Sequence, residues 1–405
     1  MTSNTEIKVY GYRWIILLLF MSLNIIIQML WISFAAVTSV ALVFYSVDEM
    51  GIYLLSMTFM VVYIPVTFLS AWIIDKYDFK KGTIVGAILT GGFGFLRIFS
   101  TNNYPVVLIS QIGVAVAQPF ILNSITKMSA NWFPENERTT ATGISLISVF
   151  IGTALGLFAT PFIVNAVNFQ AMLNTYGIIS LIIGIIYTIF IRNRPPTPPS
   201  EKIETEKVFM LEGFKNLVKN INFWILAIIF FIGLGIFNTI LTYIESIVQP
   251  RGFDITFAGI LGGLILLGGM VGALVMSLLS DKYKKRKILL LISVIIASVS
   301  LYGIAFAYSD ILLWILGFTF GFGLVSASPV GLEFAVDLTS PVPEATSNGF
   351  LMMMGQISGI IFIISLEDFT MPITNDYFPA LLLQAILLTV SFVLLLFIKE
   401  KKAKD

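Results

Sequence analysis

Asn24, Gln28 and Trp31 stand at i, i+4 and i+7, so a helix carries them one above another on a single face. Trp31 falls near the middle of an apolar stretch at 14–45, not at an end where tryptophans usually anchor. Two amides and an indole on one face can hold a small molecule by hydrogen bonds and by a ring face. Such a face attracts a desolvated organic cation by about 2 kcal/mol or more. The competing reading is packing, because amides also hydrogen-bond between neighbouring helices. Similar groups recur along the chain. Gln111 and Gln118 lie seven residues apart with Pro119 beside the second, and Phe230, Phe237, Asn238, Thr242 and Glu245 form a stripe. Asn348, Met352 and Gln356 follow at four-residue spacing. Neutral amides and aromatics suit a substrate that needs stacking and hydrogen bonds more than one that needs a buried counter-charge.

Composition dictates the elements that must position these groups. Of 405 residues, 57% are hydrophobic and 12% charged, and mean hydropathy is +0.94. Soluble chains are nearer about 45–50% apolar and about 25% charged. The apolar residues also come in blocks the length of a bilayer span, which excludes a soluble enzyme or a disordered chain and predicts an all-α integral membrane protein. A net charge of +1 gives no reason to expect a nucleic-acid partner. The chain has no cysteine and no histidine. Disulfides and thiolate metal sites are therefore excluded, and the commonest metal ligand and neutral-pH proton carrier is missing. No cofactor is expected.

Hydropathy predicts twelve transmembrane helices, numbered here as spans 1 to 12: 14–45, 50–74, 83–101, 105–131, 139–167, 169–192, 222–249, 254–280, 288–308, 311–336, 346–366 and 376–398. Span 1 is too long for one straight crossing and is expected to tilt, kink or extend beyond the bilayer. With a cytoplasmic N-terminus, every Lys and Arg except Arg97 and Arg251 falls on the inner side. The positive-inside rule then puts both termini in the cytoplasm. The Pro-rich run at 192–200 reads as a stiff linker, and 201–219 as an amphipathic helix. The expected organisation is a six-helix bundle at 1–192, a cytoplasmic linker at 193–221, and a second six-helix bundle with a short tail at 222–405.

The halves repeat each other. Asp75-Lys76-Tyr77 after span 2 recurs as Asp281-Lys282-Tyr283 after span 8, a shift of 206 (281 − 75), and Gly143 matches Gly349 at the same shift. Parallel six-helix repeats around a central loop are the layout of major facilitator transporters. The Asp75 and Asp281 loops resemble that superfamily's loop between helices 2 and 3. The sequence departs from it with Ala71 and Ser277 at one glycine position and Asp78 at another. Lys127 and Glu333 are also 206 apart, with opposite charge. They are expected to pair between the halves and close the inner side, with Arg97 and Glu245 as an outer counterpart. Glycines on span 8 (Gly259, Gly262, Gly263, Gly268, Gly269, Gly272) and span 5 (Gly152, Gly156) are read mainly as close helix packing, with a sliding contact where the halves meet as the functional reading.

Longer strings resemble one branch of that superfamily, the feline leukaemia virus subgroup C receptor-related transporters. They are Tyr12-Arg13-Trp14, Trp31-Ile32-Ser33-Phe34-Ala35, Val62-Tyr63-Ile64-Pro65, Ala117 through Asn123, Trp132 through Arg138, and Gly331 through Val336. The similarity runs from about 10 to 365. The resemblance implies choline and ethanolamine transport or, by older attribution, heme export. It also implies a central site where Trp31 packs against a quaternary ammonium and Gln118 and Gln356 make polar contacts. Phe230 stands where that branch has a tyrosine, keeping a ring face and losing a hydroxyl.

The sequence therefore predicts a secondary transporter of a small organic cation, working by rocker-switch alternating access as a monomeric uniporter in the cell membrane. Trp31, Gln118, Phe230, Gln356, Asn24, Gln28 and Asn238 are its binding residues, and Lys127, Glu333, Asp75, Asp281, Arg97 and Glu245 its gating residues. One alternative is a proton-coupled exporter of heme or another amphipathic compound, with Glu333, Asp337 or Glu245 carrying the proton. Another is a non-transporting receptor with a transporter fold. An enzyme is not expected, as neither a catalytic cluster nor a nucleotide-binding loop is present.

Overall fold

The computed structural model describes residues 8–199, 217, 219–340, 342, 344–366, 369, 371 and 376–399. Among these it is built from α-helices with short 3-10 turns, and twelve helices are long and apolar enough to cross a membrane. The chain divides into two compact units, Met1–Thr205 and Glu206–Asp405. Ile191 to Pro199 is non-helical; the amphipathic helix expected at 201–219 lies outside the described residues, apart from Leu217 and Lys219.

In the N-terminal unit the spans are Tyr12–Ile32, Glu49–Tyr77, Phe79–Phe99, Tyr104–Leu122, Glu135–Ala166 and Phe169–Phe190. Span 1 packs on span 5, span 2 on span 4, and span 3 on spans 4 and 6. In the C-terminal unit the spans are Ile221–Thr242, Ile255–Tyr283, Arg286–Phe306, Asp310–Thr339, Ser347–Leu366 and Phe378–Phe397. The same pairs recur there: 7 with 11, 8 with 10, and 9 with 10 and 12. Span 2 and span 8 share both ends at the 206 offset, and spans 4 and 10 share their start.

Three predicted spans are interrupted. Span 1 leaves the helix after Ile32 and resumes at Thr38–Tyr45. Span 4 breaks at Asn123 and Ser124 before Ile125–Trp132, and span 7 breaks at Tyr243 before Ile244–Val248. Span 3 starts earlier than predicted because the Asp78 side chain accepts from the Phe79 N–H at 2.9 Å and caps it. Span 5 starts early too, just after Pro134, with Glu135 and Glu137 in its first turn where the helix dipole favours negative charge.

The glycines of spans 5 and 8 pack within their own units. A Cβ on Gly152 would meet the Ile25 carbonyl at 2.5 Å, and one on Gly156 the Met29 Cα at 3.0 Å, so these glycines seat span 5 on span 1 inside one unit. Gly268 and Gly272 of span 8 likewise face the Phe318 and Phe322 backbone of span 10, while Gly321 of span 10 faces Ile265 of span 8. Each missing Cβ brings two backbones of the same unit together, which is the packing of small-residue motifs.

Candidate substrate-binding site

The polar face of span 1 runs between spans 2 and 5. Gln28 lies against Gly152 of span 5, where an added Cβ would come within 2.9 Å of the Gln28 Cβ. Trp31 turns toward span 2, donating its indole N–H to the Ser56 carbonyl at 3.2 Å with its ring 6.5 Å from that of Phe59. Asn24 is 1% exposed, Gln28 2% and Trp31 8%. The Asn24 amide nitrogen has no hydrogen-bond acceptor. A buried donor left in this way costs about 1–3 kcal/mol, so its retention asks for a reason.

Just beyond Trp31 the interrupted helix is held from span 3. Arg97, 0% exposed, donates to the Leu30 carbonyl at 2.5 Å, to the Ser33 hydroxyl at 3.3 Å and to the Gln111 side-chain oxygen. Its guanidinium lies 5.0 Å from the Phe34 ring centroid. Gln111 in turn donates to the Leu30 and Trp31 carbonyls at 3.2 and 3.4 Å. Arg97 is thus a fully buried cation whose partners Leu30, Ser33 and Gln111 all lie in its own unit. Its partners are a backbone carbonyl, a hydroxyl and an amide, which charge patterning cannot reveal.

Gln118 is buried on span 4, one turn before the break at Asn123. Asn123 donates to the Thr67 carbonyl and hydroxyl and to the Ser70 hydroxyl of span 2, at 3.2, 2.9 and 2.8 Å. In the C-terminal unit Asn238 is buried, Gln356 is half-buried, and Glu245 is buried in the short helix Ile244–Val248. Phe230 is a core residue: it belongs to a cluster with Leu226, Leu290, Val330 and Phe334, and its ring fills the space a Cβ on Gly331 would take.

At the inner ends, Lys127 donates to the Ile74 carbonyl at 2.6 Å and stands 3.8 Å from Asp75. Arg286 holds Glu333 at 3.0 Å and also pairs with Asp337. Lys127 and Glu333 are therefore both engaged within their own units. Asp281 stands 4.0 Å from Lys284, both well exposed, a pair of little energetic weight. Asp78 is the inner-end residue that sequence reasoning missed. It accepts from Asn131, Asn193 and Arg194 at 3.0, 2.9 and 2.6 Å, at a backbone φ of 74°. Its signal was the departure from glycine at a position whose backbone favours glycine. Asp75, Asp78, Lys127 and Arg194 line an open pocket of about 450 Å³.

A family model described as the Major Facilitator Superfamily matches residues 14–363. The chain belongs to that superfamily. Within it the relatives are those of the feline leukaemia virus subgroup C receptor-related branch. Solute carrier family 49 member A3 of Xenopus tropicalis is 31% identical over 92% of this chain and 80% of its own. Choline/ethanolamine transporter FLVCR2 of Homo sapiens is 29% identical over 89% of this chain and 72% of its own. Among solved structures, an inward-facing bacterial homolog of the lysosomal transporter Spinster aligns with a TM-score of 0.75 at 14% identity, covering 96% of each chain. The nucleoside transporter NupG aligns with a TM-score of 0.73 at 15% identity, covering 95% of this chain and 100% of its own. These two likenesses speak for the fold alone. This major facilitator chain is a multi-pass membrane protein of a transporter family.

Proposed function

We propose that this protein is a secondary transporter of a small organic cation, a choline- or ethanolamine-like amine, and that it works as a monomeric uniporter by rocker-switch alternating access. The carrying observation is Trp31. Its indole N–H is tied to the Ser56 carbonyl, which fixes the ring on the same face of span 1 as the Asn24 amide, two turns away. A quaternary ammonium has no N–H to donate, so ring faces serve it better than acceptors do. The unpartnered Asn24 donor suits the hydroxyl oxygen of an amino alcohol. Gln28, Gln118, Asn238 and Gln356 complete the polar set in this reading, and Phe230 supports span 7 by packing. Relatives named as choline/ethanolamine transporters support the substrate class.

In this reading the protein sits in the cell membrane, and the segregation of its basic residues to one side supports cytoplasmic termini. Lys127 with Asp75, and Arg286 with Glu333, are the inner-end pairs that open and re-form during the cycle. A second reading, proton-coupled export of an amphipathic compound, is favoured by the buried Glu245 carboxyl. The deciding measurement is uptake of labelled choline and ethanolamine into proteoliposomes, with and without an imposed potential or pH gradient. Potential-driven uptake that Trp31→Ala abolishes and Trp31→Phe partly keeps is the expected result. Uptake that requires a pH gradient and is lost in Glu245→Gln would replace uniport with proton coupling.

A further inference from the structure

The break in span 1 comes within two residues of Trp31 and is held from outside its own helix. Beyond Ile32 the backbone tightens, so that the Ala35 N–H turns to the Ile32 carbonyl at 2.9 Å instead of to that of Trp31. The Leu30 carbonyl keeps a local donor in the Ser33 hydroxyl at 3.4 Å, and the Leu30 and Trp31 carbonyls take further donors from other spans. Arg97 reaches Leu30 at 2.5 Å, and Gln111 reaches Leu30 and Trp31 at 3.2 and 3.4 Å. Arg97 and Gln111 are joined by their own hydrogen bond and both are 0% exposed. A buried guanidinium needs compensation, and here two helix ends supply it. Arg97 is the C-terminal cap of the Phe79–Leu96 helix, and its side chain meets the Leu30 carbonyl in the last turn of the Tyr12–Ile32 helix. Each helix C-terminus carries roughly half a negative charge.

We infer that Arg97, acting through Gln111, is a positioning residue for Trp31: the two side chains clamp the opened carbonyls of span 1 and thereby set the plane of the indole. The indole is fixed at its far edge by Ser56, and the clamp fixes the backbone from which it projects. Displacing either anchor rotates the ring face that a cation would meet. This rests on the reading of Trp31 as a binding residue. A small misplacement of a contact group is costly, because a shift of about 1 Å can lose on the order of a hundredfold in a well-organised site.

The test uses the full chain in detergent. The Trp31 contribution to fluorescence is isolated by subtracting the spectrum of Trp31→Phe, in wild type and in Arg97→Lys, which keeps the charge and loses the fork. Arg97→Lys is expected to shift the emission maximum of that component without ligand, and to raise the choline concentration for half-maximal response about tenfold. Where Arg97→Lys does not fold, Gln111→Met, which removes the donor to the two carbonyls together with the oxygen that accepts from Arg97, is measured in its place with the same expectation. An unchanged Trp31 component in a folded variant overturns the inference. A wild-type protein that responds to neither choline nor ethanolamine overturns the substrate reading instead, while the ligand-free spectra still decide the clamp.

Discussion

Asp48 and Asp254 stand 206 residues apart and make the same hydrogen bond. The Asp48 carboxylate accepts from the Gly51 N–H at 2.9 Å, and the Asp254 carboxylate from the Phe257 N–H at 2.8 Å. Each caps the second helix of its half, and the capped donors are themselves 206 apart. A duplicated gene carries its helix starts with it when the start is chemically specified, and an N-cap is such a specification. Replacing either aspartate by alanine is expected to cost about 1 kcal/mol. The two losses should add, because the caps share no partner. Thermal melts of the single and double variants check this, and a double variant no worse than a single one would contradict it.

Asp78 sets a local strain against a network. Its φ of 74° with ψ of 164° is backbone that costs a non-glycine residue about 1–3 kcal/mol. Glycine would relieve that strain and lose the bonds from Asn131, Asn193, Arg194 and the Phe79 N–H. Each such bond contributes about 1 kcal/mol, with Arg194 discounted for its exposure. Asp78→Gly is therefore expected to be less stable than wild type despite the better backbone.

The same carboxyl gives a pH dependence. Burial raises its pKa, but the bonds from Asn193, the Phe79 N–H, Arg194 and Asn131 outweigh burial and hold it below the ordinary carboxylate value. A depressed folded pKa means a contribution present above the unfolded value, about 3.9, and lost as pH falls through the folded one. The difference in melting temperature between wild type and Asp78→Asn should be largest near neutral pH and shrink below about pH 4. A difference that stays constant down to pH 3 would count against the network.

Glycines divide by what a side chain would meet. Alanine at Gly321 would drive its Cβ into the Ile265 carbonyl, and alanine at Gly268 into that of Phe318. Overpacking of this kind costs about 1–3 kcal/mol. Alanine at Gly143 or Gly349 meets nothing within 4 Å and should gain up to about 1 kcal/mol of helix propensity. Melting temperatures of the four variants should fall on opposite sides of wild type.

Asn24 separates stability from function. Leucine there removes an unsatisfied buried donor and should raise the melting temperature. If the amide serves a substrate, as proposed, the same change lowers uptake. A stabilised Asn24→Leu with wild-type uptake would mark Asn24 as packing.

The spans and their repeat were legible because apolar blocks and charge segregation are written locally. The interruptions were not. Ser33-Phe34-Ala35-Ala36-Val37 contains neither glycine nor proline, so nothing local announces a break. The side chains that engage its carbonyls, Arg97 and Gln111, lie on spans 3 and 4, more than sixty positions away. Gln111 was visible as a polar residue in an apolar helix, but whether it faced a ligand or a backbone carbonyl depends on its neighbours. Phe230 shows the same limit: ring type and helical spacing suggested a binding face, while Gly331 on a distant helix decides that the ring is packed. Asp78 was legible only as a departure, and the backbone angle explains it.

Arg97 and Arg251, the two basic residues that escape the inner-side segregation, both end on helix carbonyls. Arg251 donates to those of Ile304 and Ala307 at 2.6 and 3.1 Å, and its side chain is 1% exposed. Their charge is withdrawn from the water on that side, while Asp48, Asp254 and Asp310 at neighbouring helix starts stand exposed to it. A cation diffusing toward those turns meets an attractive field over roughly a Debye length, about 8 Å in physiological salt. The capping chemistry that begins and ends these helices thereby leaves each unit with an outward-facing negative charge at its helix starts and a hidden positive one at its helix ends.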